Sequence, residues 1–191
     1  MTTDVQICNT ALVQVQRRTI TDLADGSSEA ADCAAIYEET RLRMLRMHTW
    51  NWAIKRQKLA RESDTPVFGE DYQYQLPSDY LRLVAARDHA GDIWTVSNIK
   101  YQLEQDSLLS NAEDVWIAYV YDATDEAAMP PDFRYFFSME LAQVLAKTNT
   151  ARVDRYRKER LRAERIAKST DSIEDDIDYV EDDTWITDRE L

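Results

Sequence analysis

The sequence predicts an α+β protein. Helices from the two ends of the chain form a helical bundle, a small antiparallel β-sheet domain is inserted between them, and an extended acidic C-terminal tail follows. Three observations predict it. Apolar residues recur at helical spacing near both ends of the chain. The period falls to two in the middle, after Pro66, Gly69 and Pro77 interrupt any helix. Beyond Lys168 the composition turns sharply acidic. The expected divisions are 1–64 for the N-terminal helices, 65–122 for the β domain, 123–169 for the C-terminal helices and 170–191 for the tail, extended or disordered when free.

The first helix is expected from Thr3 to Gln16, with Val5, Cys8, Leu12 and Val15 on one face. Ser28 is the expected N-cap of a long second helix whose inner face reads Cys33, Tyr37, Thr40, Met44 and Met47. Continued to Gln57 that helix spans about 45 Å. A break is expected near His48–Asn51, where helix formers give way to Thr49, Trp50, Asn51 and Trp52.

In the middle block, Leu81, Leu83 and Ala85 alternate with their neighbours, and His89-Ala90-Gly91-Asp92 reads as a turn. Ile93–Val96, Lys100–Leu103 and Val115–Tyr121 read as further strands of a meander. The last is apolar on both faces, which predicts a central strand. Pro130-Pro131-Asp132 opens the third helix, with Phe133, Phe137, Leu141 and Val144 inward. The fourth runs from Ala151 to Lys168 on a thin apolar face of Val153, Tyr156 and Ile166.

Charge separates the end of the chain into two parts. Residues 152–168 hold eight bases and three acids, whereas 171–191 hold ten acids and one base. The whole chain carries −13, which opposes tight binding to a phosphate backbone. The basic helix reads as a solvated, salt-bridged face or as a surface for an acidic partner. Arg155, Arg157 and Arg162 are its candidate partner-binding residues. In the tail Ile177, Tyr179, Val180, Trp185 and Ile186 are apolar residues that solvated linkers usually lack, and they read as anchors for a partner.

Catalytic chemistry finds little footing. The chain has 2 histidines, 2 cysteines and 3 glycines. Cys8 and Cys33 read as buried thiols, with no histidine beside either. No catalytic residue, metal ligand set or cofactor site is expected. Adjacent acids such as Glu70-Asp71 and Glu113-Asp114 arise by chance among 36 acids. No stretch approaches a membrane span, and the start Met1-Thr2-Thr3-Asp4 does not read as a signal peptide. Trp and Tyr are abundant, at 5 and 10, and with Arg they dominate protein interfaces.

Several segments carry a resemblance. Val5-Gln6-Ile7-Cys8-Asn9-Thr10-Ala11-Leu12 is followed by Thr19-Ile20-Thr21-Asp22-Leu23, by Asp25-Gly26-Ser27, and by Cys33, Ala34, Tyr37 and Arg41. His48-Thr49-Trp50-Asn51-Trp52-Ala53 and Tyr72-Gln73-Tyr74-Gln75-Leu76-Pro77-Ser78-Asp79-Tyr80-Leu81-Arg82 come next, and these two are the specific part. In this order the series resembles the tail tubular protein A family of short-tailed bacteriophages, over residues 3–165. The resemblance implies a non-enzymatic head-to-tail adaptor in the virion, present in the host cytoplasm during assembly. It implies a homo-oligomeric ring, usually of twelve copies, between the portal protein and the tail nozzle protein. DNA passes through such a ring without specific binding, and no membrane or cofactor is involved. Within the motifs, His48, Trp50, Asn51 and Trp52 read as a core or hinge cluster. Tyr72, Tyr74, Leu76 and Pro77 read as fixing the approach to the first strand. A tail-associated peptidoglycan hydrolase is the alternative, needing a paired carboxyl site. A DNA-binding packaging protein is third.

Overall fold

The computed structural model describes residues 3–90, 95–146 and 150–173, with side chains from 4 and, in the last segment, from 155. The described residues are mixed α and β. Their order is α1 (Thr3–Gln14), α2 (Ser28–Met47), β1 (Ile54–Lys58), β2 (Tyr72–Gln75), β3 (Tyr80–Arg87), β4 (Gln102–Glu104), β5 (Ser107–Ser110), β6 (Trp116–Tyr121), α3 (Pro131–Leu145) and α4 (Thr150–Ile173).

Local chemistry sets the helix ends. α1 stops two residues before the expected Gln16, because Gln16 takes φ 59°. Its N–H donates to Val13 O (3.1 Å), and the Arg17 N–H reaches back to Leu12 O (2.9 Å). This pair of bonds closes the helix as a left-handed Schellman cap. Asn9 then pins the returning chain: its side-chain NH2 donates to Ile20 O (2.9 Å) and its Oδ1 accepts the Ile20 N–H (2.7 Å). The cap of α2 is Ser27, not Ser28: Ser27 Oγ accepts the Ala30 N–H at 3.1 Å from an extended backbone. The break after α2 falls at His48, which is extended at φ −142° and ψ 158°.

β1 is where sequence and structure part most clearly. Ile54–Lys58 lies past the expected break but inside the division 1–64 expected to hold the N-terminal helices, yet it is a strand that pairs antiparallel with β6. Its sequence, Ile-Lys-Arg-Gln-Lys, has no period of two, because it is an edge strand with four exposed residues. The expected single meander is likewise two three-stranded antiparallel sheets, ordered β1-β6-β3 and β2-β5-β4. β6 is central in the first sheet. Thr95 and Val96 form a bend and not a strand, while Gly91, Asp92, Ile93 and Trp94 lie outside the described residues.

The apolar side chains gather in two clusters. One joins the helices: Leu12, Met44, Leu45, Trp50, Phe133, Phe136 and Phe137 pack together with Val120 of β6. The other joins the two sheets through Leu59, Tyr74, Leu76, Leu108, Ile117 and Tyr119. β6 therefore supplies alternate residues to both. α3 packs on α1, α2 and α4. Met47, expected inside, is 40% exposed at the last turn of α2. α4 buries Tyr156, Ala163 and Ala167, and the expected core residue Ile166 is instead 46% exposed. Alanines fill this seam because α3 and α4 approach closely. α4 also runs past the expected Lys168 through Ile173, so the first residues of the expected tail are helical.

Candidate partner-binding surfaces

Three groups of residues singled out by the sequence occupy different places. The His48–Trp52 segment turns inward. Trp50 is buried, donates its indole N–H to Met44 O (2.9 Å), and meets Phe133 edge-on with centroids 4.9 Å apart. Trp52 meets the same Phe133 ring at 4.8 Å. His48 Nε2 lies 3.2 Å from Asp171 Oδ2. The Asn51 N–H donates to Asp171 Oδ1 (2.9 Å), and the Asn51 side-chain amide donates to Asp171 O (2.7 Å). Asp171, assigned by composition to the tail, is thus a buried carboxylate that fastens the end of α4 to the α2–β1 corner.

The Tyr72–Pro77 segment also serves the fold, not as the approach to the first strand but with Tyr72–Gln75 itself forming β2 against β5, after β1. Tyr74 is buried and its hydroxyl donates to Ala112 O. Leu76 belongs to the cluster between the sheets. The Arg61 guanidinium covers the Tyr72 ring at 4.7 Å. Pro77 O accepts the Tyr80 N–H (3.0 Å) in the turn before β3. Asp79 accepts from Lys55 Nζ (2.6 Å) and from the Tyr119 hydroxyl (3.0 Å). Burial pulls the Asp79 carboxyl upward, but these two donors outweigh it and hold it below the usual carboxylate range.

α4 is divided lengthwise. On its inner side Arg160 pairs with Glu140 of α3 and Glu164, both at 3.1 Å, and Lys168 pairs with Glu164 at 2.8 Å. Glu140 is buried and also takes Arg43 of α2 at 2.7 Å, so one carboxylate ties three helices. On the outer side Arg155, Lys158, Arg162 and Arg165 follow one another at spacings of three and four, all exposed. Ile166 and Ile173 lie along this stripe and Leu161 beside it. Arg157 is exposed at its margin. No ion pair reaches these bases among the described residues. Ile177, Tyr179, Val180, Trp185 and Ile186 lie outside the described residues.

Two arrangements escaped the sequence reading. Arg41 is 1% exposed, pairs with Glu38 (2.7 Å) and Asp122 (2.6 Å), and donates to Ala123 O (2.7 Å). It closes α2 onto the chain leaving β6. The loop tip Val67-Phe68 is almost wholly in solvent. A buried arginine shows no signal in a chain this charged, and two apolar loop residues do not reveal which way they point.

Cys8 and Cys33 are buried free thiols, and the Cys8 thiol is pushed far up by its hydrogen bond with Cys33 and by burial. Among the described residues no three His, Cys, Asp or Glu side chains gather as a metal site. Asp25, Glu29, Glu38, Asp79 and Asp88 are held below the usual carboxylate range, opposite to the direction a protonated general acid needs. No helix among the described residues is long and apolar enough to cross a membrane. Comparison with known protein-family models and with curated proteins gives no match.

Proposed function

We propose that this chain is a structural head-to-tail adaptor of a short-tailed phage virion, in the manner of tail tubular protein A. Many copies, twelve in the usual arrangement, form a ring between portal and tail nozzle, and DNA passes through it. The four helices act as one bundle, and α4 with the acidic sequence after it engages the portal. The observation that carries this reading is the outer face of α4. Four exposed cations, interleaved with Leu161, Ile166 and Ile173, are segregated from the salt-bridged inner face. Arginine beside exposed aliphatic side chains is an interface composition.

The resemblance of the His48–Ala53 and Tyr72–Arg82 segments supports the same reading, and the first of them builds the corner to which α4 is fastened. A net charge of −13 per subunit suits a conduit, since it disfavours phosphate contacts that would slow the passage of DNA.

The test is mass photometry of the purified chain, alone and mixed with its cognate portal ring. Many copies joining each portal ring is the expected result. Arg155→Glu combined with Arg162→Glu abolishes joining without unfolding the chain. Indifference of the chain to the portal overturns the proposal. A steep salt dependence of binding to DNA favours the packaging alternative instead.

A further inference from the structure

The loop between β1 and β2 ends in the two most exposed large apolar side chains among the described residues: Val67 at 97% and Phe68 at 87%. Single exposed apolar residues need no explanation. An adjacent pair at a tip, bracketed by Pro66 and by Gly69 at φ +96°, is a presented knob. The segment around it is acidic, with Glu62, Asp64, Glu70 and Asp71 against Arg61.

Across the β1-β6-β3 sheet lies a cleft of 270 Å³. Ala85, Ile117 and Ala118 form its apolar floor and Trp116 one wall. Arg56, Lys58 and Arg87 line it as well, with Lys58 lying 4.6 Å over the Trp116 ring and 2.9 Å from Asp114. The knob and the cleft are therefore complementary twice over: an apolar tip against an apolar floor, and an acidic flank against a basic rim. They are different surfaces of one chain. A contact between them on two copies is head-to-tail, and repetition closes a ring when the rotation permits.

We propose that Val67-Phe68 of one copy inserts into the sheet-face cleft of the next and forms the subunit contact of the ring. The inference rests on the ring reading above and adds its interface. A buried Phe covers about 150–250 Å², so Phe68 is the anchor and the carboxylates set its orientation.

The test uses two full-length variants, Thr65→Cys, exposed beside an intact knob, and Ala90→Cys, at an exposed position lining the cleft. They are mixed at high concentration and treated with a short bismaleimide. Cys8 and Cys33 are buried and do not compete. The expected product is a 65–90 heterodimer, absent when Val13→Cys, exposed on α1, replaces Ala90→Cys. A heterodimer no more abundant than that control overturns the proposal. A companion measurement separates this proposal from the ring reading. Phe68→Ser, which keeps its circular dichroism, is mixed with the portal ring. Loss of multi-copy joining supports the knob. Full joining by Phe68→Ser removes the knob while the adaptor role stands. A 65–90 cross-link between the cysteine variants, together with a wild-type chain that ignores the portal, keeps the contact and removes the adaptor role.

Discussion

α3 and α4 lie side by side and bury their surfaces in opposite ways. α3 is enclosed nearly all round, so Ser138 and Glu140 are buried along with its phenylalanines. α4 touches the protein along a narrow strip of Tyr156, Ala163, Ala167 and Asp171 and leaves the rest in solvent. The enclosed helix spends its charge on cohesion, because a carboxylate inside needs its cations. The half-enclosed helix keeps its outer charges available. Stability and recognition are thus assigned to different faces, and substitutions separate them.

The largest effect is expected at Glu140. Glu140→Ala removes the shared acceptor of Arg43 and Arg160 and leaves Arg160 only Glu164. A loss of about 3 kcal/mol is expected, which lowers Tm by roughly 6–12 °C in a chain of this size. Thermal unfolding followed by circular dichroism reads it. An unchanged Tm would break the contrast at its stronger end.

Asp171→Ala comes next. It frees the Asn51 N–H and the His48 ring and costs about 1–3 kcal/mol. Hydrogen exchange localises the effect: faster exchange confined to the last two turns of α4 and to residues 48–53 sharpens the comparison, whereas uniform acceleration means that the corner governs the whole fold. The smallest effect on stability belongs to the outer stripe. Arg155→Glu with Arg162→Glu shifts stability by less than about 0.5 kcal/mol, measured by urea unfolding, although partner binding is lost. A large loss of stability there would contradict the division of α4.

The sequence disclosed these regions unequally. The helices were legible because α1, α2 and α3 keep the helical period and end at recognisable caps. β6 was legible because both of its faces are apolar. β1 was hidden, since an edge strand of charged residues has no alternation to read, and without it the first sheet could not be drawn. α4 was placed and Tyr156 of its expected face is buried, but alanine and not Ile166 fills the rest of the seam with α3, and small residues carry little signal in a hydropathy pattern. Val153 itself lies outside the described side chains. Of the candidate surface, Arg155, Arg157 and Arg162 could be named from charge alone. Their separation from Arg160 and Lys168 could not, because it depends on where Glu140 stands across the helix boundary.

The fastening of Asp171 to His48 and Asn51 has a mechanical consequence. Those two residues sit at the bend where α2 ends and β1 begins, and β1 is the outer strand of a sheet. Tension applied to the chain beyond Ile173 is therefore not borne by α4 alone. It passes through the Asp171 carboxylate into the bend and from there along β1. A tug on the end of the molecule reaches the sheet as a torque on its margin, and the helix and the sheet respond as parts of one lever.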